Sequence, residues 1–201
     1  FVNSKQRRVP VSLDAPVFTL THAMGFKGVL GGEYNFNRTE ASIWKRFWLP
    51  ASWGKIDCSV KAGAEWNTVP FPLLILPEAN LSYITQRETF CLINNMEFLN
   101  DRFASMSISY DMNGKLFNRI PLLKNLKWRE MFRVRALWGT LTDKNNPFKS
   151  SNPDLFRFPT RDGKFTSFVM DPKVPYVEAS VGIYNIFKLL HVEYVHRFTY
   201  R

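Results

Sequence analysis

The stretch Lys55–Trp66, KIDCSVKAGAEW, decides the fold class of this chain. One set of alternate positions holds polar residues or glycine, and the other set holds only apolar residues. The polar set is Lys55, Asp57, Ser59, Lys61, Gly63 and Glu65, and the apolar set is Ile56, Cys58, Val60, Ala62, Ala64 and Trp66. A period of two is that of a β-strand, whose side chains point alternately to opposite faces. The stretch therefore predicts a strand with one charged face and one apolar face.

The same alternation recurs along the chain, so an all-β fold is predicted. It is found again at 102–110, 130–138, 176–183 and 192–200, and further strands are expected at 15–22, 30–45 and 89–98. The 30–45 segment changes parity near Asn37 and Arg38, which indicates a bulge or a hidden turn. Helical periodicity is confined to Leu116–Trp128, where a short amphipathic turn after Pro121 is expected. The total is about eight antiparallel strands, and most approach the ~9–11 residues that a tilted strand needs to cross a bilayer.

Composition narrows the classes of protein that fit. Lys and Arg number 27 against 17 Asp and Glu, a formal charge of +10, but the charges sit singly between apolar residues. The sequence therefore predicts no nucleic-acid partner, which would need a clustered basic face. No apolar run approaches the ~20 residues of a spanning helix. A chain of this kind crosses a membrane only as a closed sheet.

Alternation by itself leaves two architectures open. A transmembrane β-barrel turns its apolar face to lipid, whereas a soluble β-barrel binding a small apolar ligand turns it inward. The apolar faces end in rings at Trp66, Tyr110, Trp138 and Tyr200, which is typical of residues at a membrane interface. This favours the transmembrane barrel, and the soluble barrel remains the alternative.

No catalytic, cofactor-binding or metal-binding residues are predicted, and the chain is expected to be non-enzymatic. His191 and His196 are five residues apart, so on a strand they point to opposite faces and cannot share a metal ion. The serines at 105, 107 and 109 lack a neighbouring His–Asp pattern that would activate a nucleophile. Glu97 and Asp101 are assigned to turn chemistry. For Cys58 and Cys91, a role as small packing residues is favoured, and a disulfide between them is left open.

A set of charged side chains is predicted to face the interior of the barrel. The set comprises Lys61, Arg133, Arg135, Glu178 and Arg197. Glu193 lies an even number of residues from Arg197 on the same predicted strand, so it is expected to face the interior as well. Two interpretations are open: ion pairs that brace neighbouring strands, or an electrostatic lining that selects anionic cargo.

A series of short motifs resembles a known family. The motifs are VPFPLL from Val69, EFLNDRFA from Glu97, NRIPLL from Asn118, KWRE from Lys127, PYVE from Pro175 and GIYNIFK from Gly182, all in the same order. The series is similar to the C-terminal part of a large Bacteroidota outer-membrane family. Its members join a carboxypeptidase-regulatory-like domain to a barrel of unknown function. The resemblance runs from about Ala15 to the end of the chain.

This resemblance implies a location and a role. Residues 1–14 would be the lead-in of a truncated chain, and 15–201 an outer-membrane barrel segment that is part of a larger barrel. The implied partners are outer-membrane lipid, the missing N-terminal part and other envelope proteins, and the implied role is transport, assembly or envelope biogenesis. The barrel is distantly similar to the barrel-assembly and two-partner-secretion superfamily. The chain lacks the Arg-Gly-Phe or Arg-Gly-Tyr lumen motif of that superfamily, which argues against a translocase.

The predicted strand count also fixes a topology. The first strand, near Ala15, is expected to pair with something other than the last strand, near Tyr200. With the C-terminal end at the periplasmic side, 67–88 would lie outside the cell and Leu99–Asp101 would form a periplasmic turn. The 142–174 connection would be a periplasmic excursion without long strands. External protease is then expected to cut near 67–88 and to spare 142–174.

Overall fold

Eleven strands and one short α-helix make up the described part of the protein. The computed structural model describes residues 2–4, 7–9, 15–86, 88–149, 155, 158 and 160–201. The strands are β1 Val2–Ser4, β2 Arg7–Val9, β3 Val17–Gly25, β4 Phe36–Trp48, β5 Lys55–Glu65, β6 Arg102–Asp111, β7 Arg129–Thr140, β8 Thr160–Arg161, β9 Lys164–Phe165, β10 Tyr176–Ile186 and β11 Leu190–Arg197. The α-helix is α1 Pro121–Leu126, and short 3-10 turns occupy Phe71–Leu73, Phe117–Arg119 and Asp143–Asn145.

Seven of these strands form one antiparallel sheet, which confirms the all-β prediction. Their order is β11–β10–β7–β6–β5–β4–β3, and their lengths run from 8 to 13 residues. β1 pairs with β2 and β8 pairs with β9 in separate two-residue or three-residue ladders. β3 and β11 are the two edges of the described sheet, and they do not pair with each other, as predicted. The sheet is therefore open rather than closed into a barrel.

Three predicted elements are wrong in detail. Residues 89–98 are not a strand: their buried side chains Phe90, Ile93 and Phe98 are spaced by three and five rather than two, and the segment packs across the sheet. β4 starts at Phe36, and its pairing with β3 continues without a bulge through 37 and 38. The change of parity in the sequence therefore marks the point where the 26–35 turn ends and the strand begins. Leu99–Asp101 is buried rather than a tight turn between strands.

The antiparallel order divides the connections between two ends of the sheet. The loop-rich end carries the connections 26–35, 66–101 and 141–175. The basic end carries the connections 49–54, 112–128 and 187–189. Because the predicted 89–98 strand is absent from the sheet, each later connection lies at the opposite end from the one predicted relative to 67–88. Residues 67–88 and 142–174 therefore lie at the same end. The predicted topology, and the protease pattern that depended on it, are therefore wrong.

The core lies on one side of the sheet, beneath residues 66–101, which we call the inserted segment. One cluster joins Phe90, Ile93 and Phe98 of this segment to Leu137 and Tyr176 of the sheet, with Met170 added from the 141–175 connection. A second cluster comprises Val69, Leu74, Leu99, Leu141 and Phe158. The inserted segment is folded back on itself by paired backbone hydrogen bonds between Ile75 and Asn100, at 2.8 and 3.2 Å, and its Asp101 N–H donates to the Thr140 carbonyl of β7 at 2.9 Å. The predicted long loop is thus an ordered cover.

One glycine makes this close packing possible. A Cβ placed on Gly139 of β7 would overlap the side-chain amide of the fully buried Asn100. Within the described residues, neither polar atom of that amide has a hydrogen-bond partner. Glycine at 139 is therefore required for the inserted segment to approach the sheet.

Gly139→Ala is expected to lower the free energy of unfolding by about 1–3 kcal/mol, the usual cost of overpacking a filled site. Asn100→Ala should recover part of that loss in the double variant, because it removes the overlapping amide. Denaturant unfolding of the two single variants and the double variant gives the coupling energy. Strict additivity would show that the overlap is not the cause.

Candidate functional site

The faces of the sheet are inverted relative to a soluble protein. The middle of β7 shows this most clearly, because its two arginines are buried and the apolar residues next to them are exposed. Arg135 is 1% exposed and Arg133 5%, whereas the intervening Val134 is 43% exposed and Phe132 40%. Isolated buried charges are costly, so each must be compensated by partners. We call the side under the inserted segment the charged face and the opposite side the apolar face.

Glu178 of β10 is the centre of the charged face. Its carboxylate accepts a hydrogen bond from Arg135 Nη1 at 2.7 Å and from the Tyr176 hydroxyl at 2.9 Å. It also accepts from the backbone N–H of Cys91 at 2.9 Å and of Leu92 at 3.1 Å. One carboxylate thus joins two strands of the sheet to the inserted segment.

Arg197 of β11 fastens the inserted segment from the other side. Its Nη2 lies 2.6 Å from Glu97 Oε1, and its Nη1 donates to the Leu92 carbonyl at 3.1 Å. The guanidinium carbon also lies 4.9 Å from the centre of the Tyr176 ring, within cation–π range. The segment around residues 91–97 is therefore held by both a buried carboxylate, Glu178, and a half-buried guanidinium group, Arg197.

Two further pairs complete the charged face. Arg133 Nη1 lies 3.2 Å from Glu193 Oε1, and Ser180 donates its hydroxyl to the same carboxylate. Lys61 Nζ lies 3.0 Å from Glu78 and 3.1 Å from Glu88, both in the inserted segment. All five charged residues predicted for the interior therefore lie on one face of the sheet, and each has an ionic partner. Of the two interpretations, ion pairing is the one that the geometry supports.

Several participants were missed by the sequence reasoning. Glu97 and Asp101 do more than stabilise a turn: Glu97 accepts from the Asn94 N–H at 2.8 Å in a turn and also pairs with Arg197, and Asp101 is fully buried. Asp101 accepts from the Thr142 N–H and hydroxyl and from Asn145 Nδ2. Glu78 and Glu88 were unremarkable in the sequence because their partner Lys61 is distant along the chain. The only available signal was that these acids interrupt an otherwise apolar, proline-rich stretch.

The cysteines lie on opposite faces of the sheet and are both free. Cys58 stands on the apolar face of β5, while the Cys91 sulfur lies 3.2 Å from Arg135 Nη1 on the charged face. Burial raises the pKa of the Cys91 thiol, and the Arg135 charge lowers it by a smaller amount. The Cys91 thiol is therefore protonated and poorly nucleophilic at neutral pH.

The two C-terminal histidines, His191 and His196, lie on opposite sides of the sheet. The His191 ring lies against Gly182 on the charged side, 3.7 Å from Glu193, whereas His196 stands on the opposite face beside Phe198. In the described ranges, no group of three or more His, Cys, Asp or Glu side chains is arranged to hold a metal ion.

The apolar face carries aliphatic side chains between rings. Its middle rows are formed by Ile43, Val60, Met106, Val134, Val177 and Ala179. Toward the basic end, the cross-strand row contains the rings of Phe47, Tyr110, Phe132 and Tyr194. Trp66 and Trp138 stand toward the loop-rich end and are exposed. The aliphatic rows are thus flanked by aromatic side chains.

Some residues of the apolar face depart from this scheme. Contrary to the prediction, Tyr200 is not one of the aromatic residues at the end of the apolar face. Its ring packs on Phe98 with 5.2 Å between ring centres, and its hydroxyl donates to the Val174 carbonyl at 2.7 Å. Lys45 and His196 are polar but lie on outer strands, with Lys45 Nζ 4.9 Å from the Phe47 ring centre. Long amphipathic side chains at such positions can carry their charge toward water. They do not break the central aliphatic rows.

The fold and the site together define a class: an all-β protein with an antiparallel sheet whose charged face is buried and whose apolar face is uncovered. Within that class, the chain belongs to the Family of unknown function (DUF5686) C-terminal domain, whose model matches residues 1–149. No curated protein and no solved structure matches the chain. Among the described residues, no helix has the length and hydropathy to span a membrane.

Proposed function

We propose that this chain is a segment of an outer-membrane β-barrel, with its apolar face toward lipid and its charged face toward the interior. The observation that carries the proposal is the inversion of the sheet: Arg135 is buried while its neighbour Val134 is exposed. A soluble β-barrel would bury the apolar face instead. The strand lengths of 9 to 13 residues in six of the seven strands fit a tilted membrane crossing.

The role we propose is transport, assembly or envelope biogenesis without enzymatic activity. The chain would be the C-terminal barrel part of a Bacteroidota protein that also carries a carboxypeptidase-regulatory-like domain. The unpaired edges β3 and β11 would join further strands of a larger barrel, since a lipid-exposed edge leaves backbone groups unsatisfied. The inserted segment would act as an internal plug, because it binds the charged face through Glu178 and Arg197.

The first test is extraction. The protein should remain with membranes in high salt or carbonate and be released by detergent. Its mobility on a gel should shift after heating. Release into aqueous buffer without detergent would contradict the membrane-spanning function and favour the soluble barrel.

The second test reads the direction of the two faces from adjacent residues. In a variant without its natural cysteines, Val60→Cys and Ser59→Cys place a thiol on opposite faces of the same strand. A fluorophore at position 60 should be quenched severalfold more by lipids with brominated chains than one at position 59. Equal quenching at both positions would contradict the proposed orientation.

A further inference from the structure

The connections of the basic end form one surface. The Lys115 ammonium donates to the Ala51 carbonyl at 2.7 Å and lies 5.2 Å from the Trp53 ring centre, joining 112–128 to 49–54. Asn185 Nδ2 donates to the Lys127 carbonyl at 2.7 Å, joining the end of β10 to 112–128. We call the surface formed by 49–54, 112–128 and 187–189 the basic cap.

The basic cap has charge of one sign. None of its residues is acidic, and its cations are Lys115, Arg119, Lys124, Lys127 and Lys188. At the loop-rich end, by contrast, the connections contain acids in each of the three ranges. Within the described residues, Arg119, Lys124, Lys127 and Lys188 are exposed and form no ion pair. The excess of positive charge over acids is therefore concentrated at this end.

The same surface exposes large apolar side chains. Leu122 of α1 is 83% exposed, and Leu189 in the turn before β11 is 88% exposed. Phe187 is exposed beside Lys188, and the aromatic row of the apolar face begins directly below the cap. Cations that alternate with exposed apolar groups suit a lipid headgroup region, where phosphates and the upper acyl chains are both within reach.

We propose that the basic cap binds the phosphate of phosphorylated lipid headgroups. This rests on the membrane-spanning function proposed above, which would place the aromatic row at the bilayer interface. Arg119, Lys124, Lys127 and Lys188 supply the charge, and Leu122, Phe187 and Leu189 contact the adjoining acyl chains. Arg and Lys both bind phosphate, Arg by a bidentate fork and Lys as a point charge.

The proposal is tested by titrating the full chain, folded in a neutral detergent, with dihexanoyl phosphatidic acid in a calorimeter. The cap variant carries Arg119→Gln, Lys124→Gln, Lys127→Gln and Lys188→Gln. The matched control carries Lys27→Gln, Arg161→Gln, Lys164→Gln and Lys173→Gln at the loop-rich end, where the four side chains are also exposed. The cap variant should bind at least tenfold more weakly than the native chain, and the control less than threefold more weakly.

Two further titrations identify the source of the phosphate. Zwitterionic dihexanoyl phosphatidylcholine should bind at least tenfold more weakly than phosphatidic acid, and so should inorganic phosphate. If inorganic phosphate binds as tightly as phosphatidic acid, free phosphate is the ligand and the lipid proposal is overturned. Equal losses of affinity in the cap variant and the control would also overturn it. Raising salt should weaken binding, because exposed charges are screened within a Debye length of ~8–10 Å. Extraction of the native chain is measured separately, so failure of the membrane-spanning function is recognised independently of phosphate binding.

Discussion

Glu178→Gln is expected to lower the free energy of unfolding by about 3–5 kcal/mol, the usual cost of removing one charge from a buried ion pair. Glutamine keeps the size of the side chain but removes the negative charge beside the Arg135 guanidinium. Its amide also offers a donor where the Tyr176 hydroxyl and the N–H groups of Cys91 and Leu92 all need an acceptor. Denaturant unfolding in detergent micelles measures the loss.

Asp143→Asn is the matched control for this charge removal. Asp143 pairs with Lys149 at 3.0 Å, and both side chains are largely exposed. Exposed pairs contribute no more than about 1 kcal/mol, so the control should differ little from the native chain. Equal losses in the two variants would contradict the central role of Glu178.

The same substitution should also loosen the inserted segment. In a Cys58→Ala background, maleimide should label Cys91 slowly in the native chain, because the thiol is half-buried and its pKa is raised. Glu178→Gln should raise that labelling rate several-fold, because the Cys91 backbone loses its acceptor. An unchanged rate would show that the segment is held without Glu178.

Val134→Arg is expected to lower the free energy of unfolding in a bilayer by roughly 2–4 kcal/mol, the range for a cation on the lipid face near the midplane. Val134 stands in the middle of β7 on the apolar face, flanked in register by Ile108 and Ala179. In a soluble protein, an arginine at a position 43% exposed would usually change stability by less than about 0.5 kcal/mol. The two environments therefore give clearly different results.

Two controls separate charge from shape at this position. Val134→Leu keeps the apolar character and should stay close to the native chain. Val174→Arg makes the same substitution in the 141–175 connection, outside the sheet, and should cost little because Val174 is 40% exposed at the loop-rich end. A small loss for Val134→Arg in lipid vesicles would mean that the apolar face does not contact lipid.

The sequence by itself determined the faces of the strands. In β5, β7, β10 and β11, alternation placed the charged residues predicted for the interior on one face, because side-chain direction in a regular strand has a period of two. It also predicted the helical turn after Pro121, which forms α1. Of the family resemblance, the match to the C-terminal domain of a family of unknown function is confirmed by the family model, which covers residues 1–149.

Only the tertiary structure decided what covers the charged face. The sequence pattern of residues 89–98 by itself predicts a strand. In the structure this segment is not paired in the sheet, and its apolar side chains are buried against Leu137 and Tyr176. That single difference changed the parity of the later connections and placed 66–101 and 141–175 at the same end. A local pattern cannot distinguish a strand from an extended segment that packs across one.

The partners of the buried charges were likewise beyond the sequence. Arg135 and Glu178 are neighbours in register because β7 pairs with β10 across a connection of more than thirty residues. Arg197 reaches Glu97 from a hundred residues away along the chain. Strand pairing and the return of the inserted segment set these distances, and both depend on long-range packing that alternation does not encode.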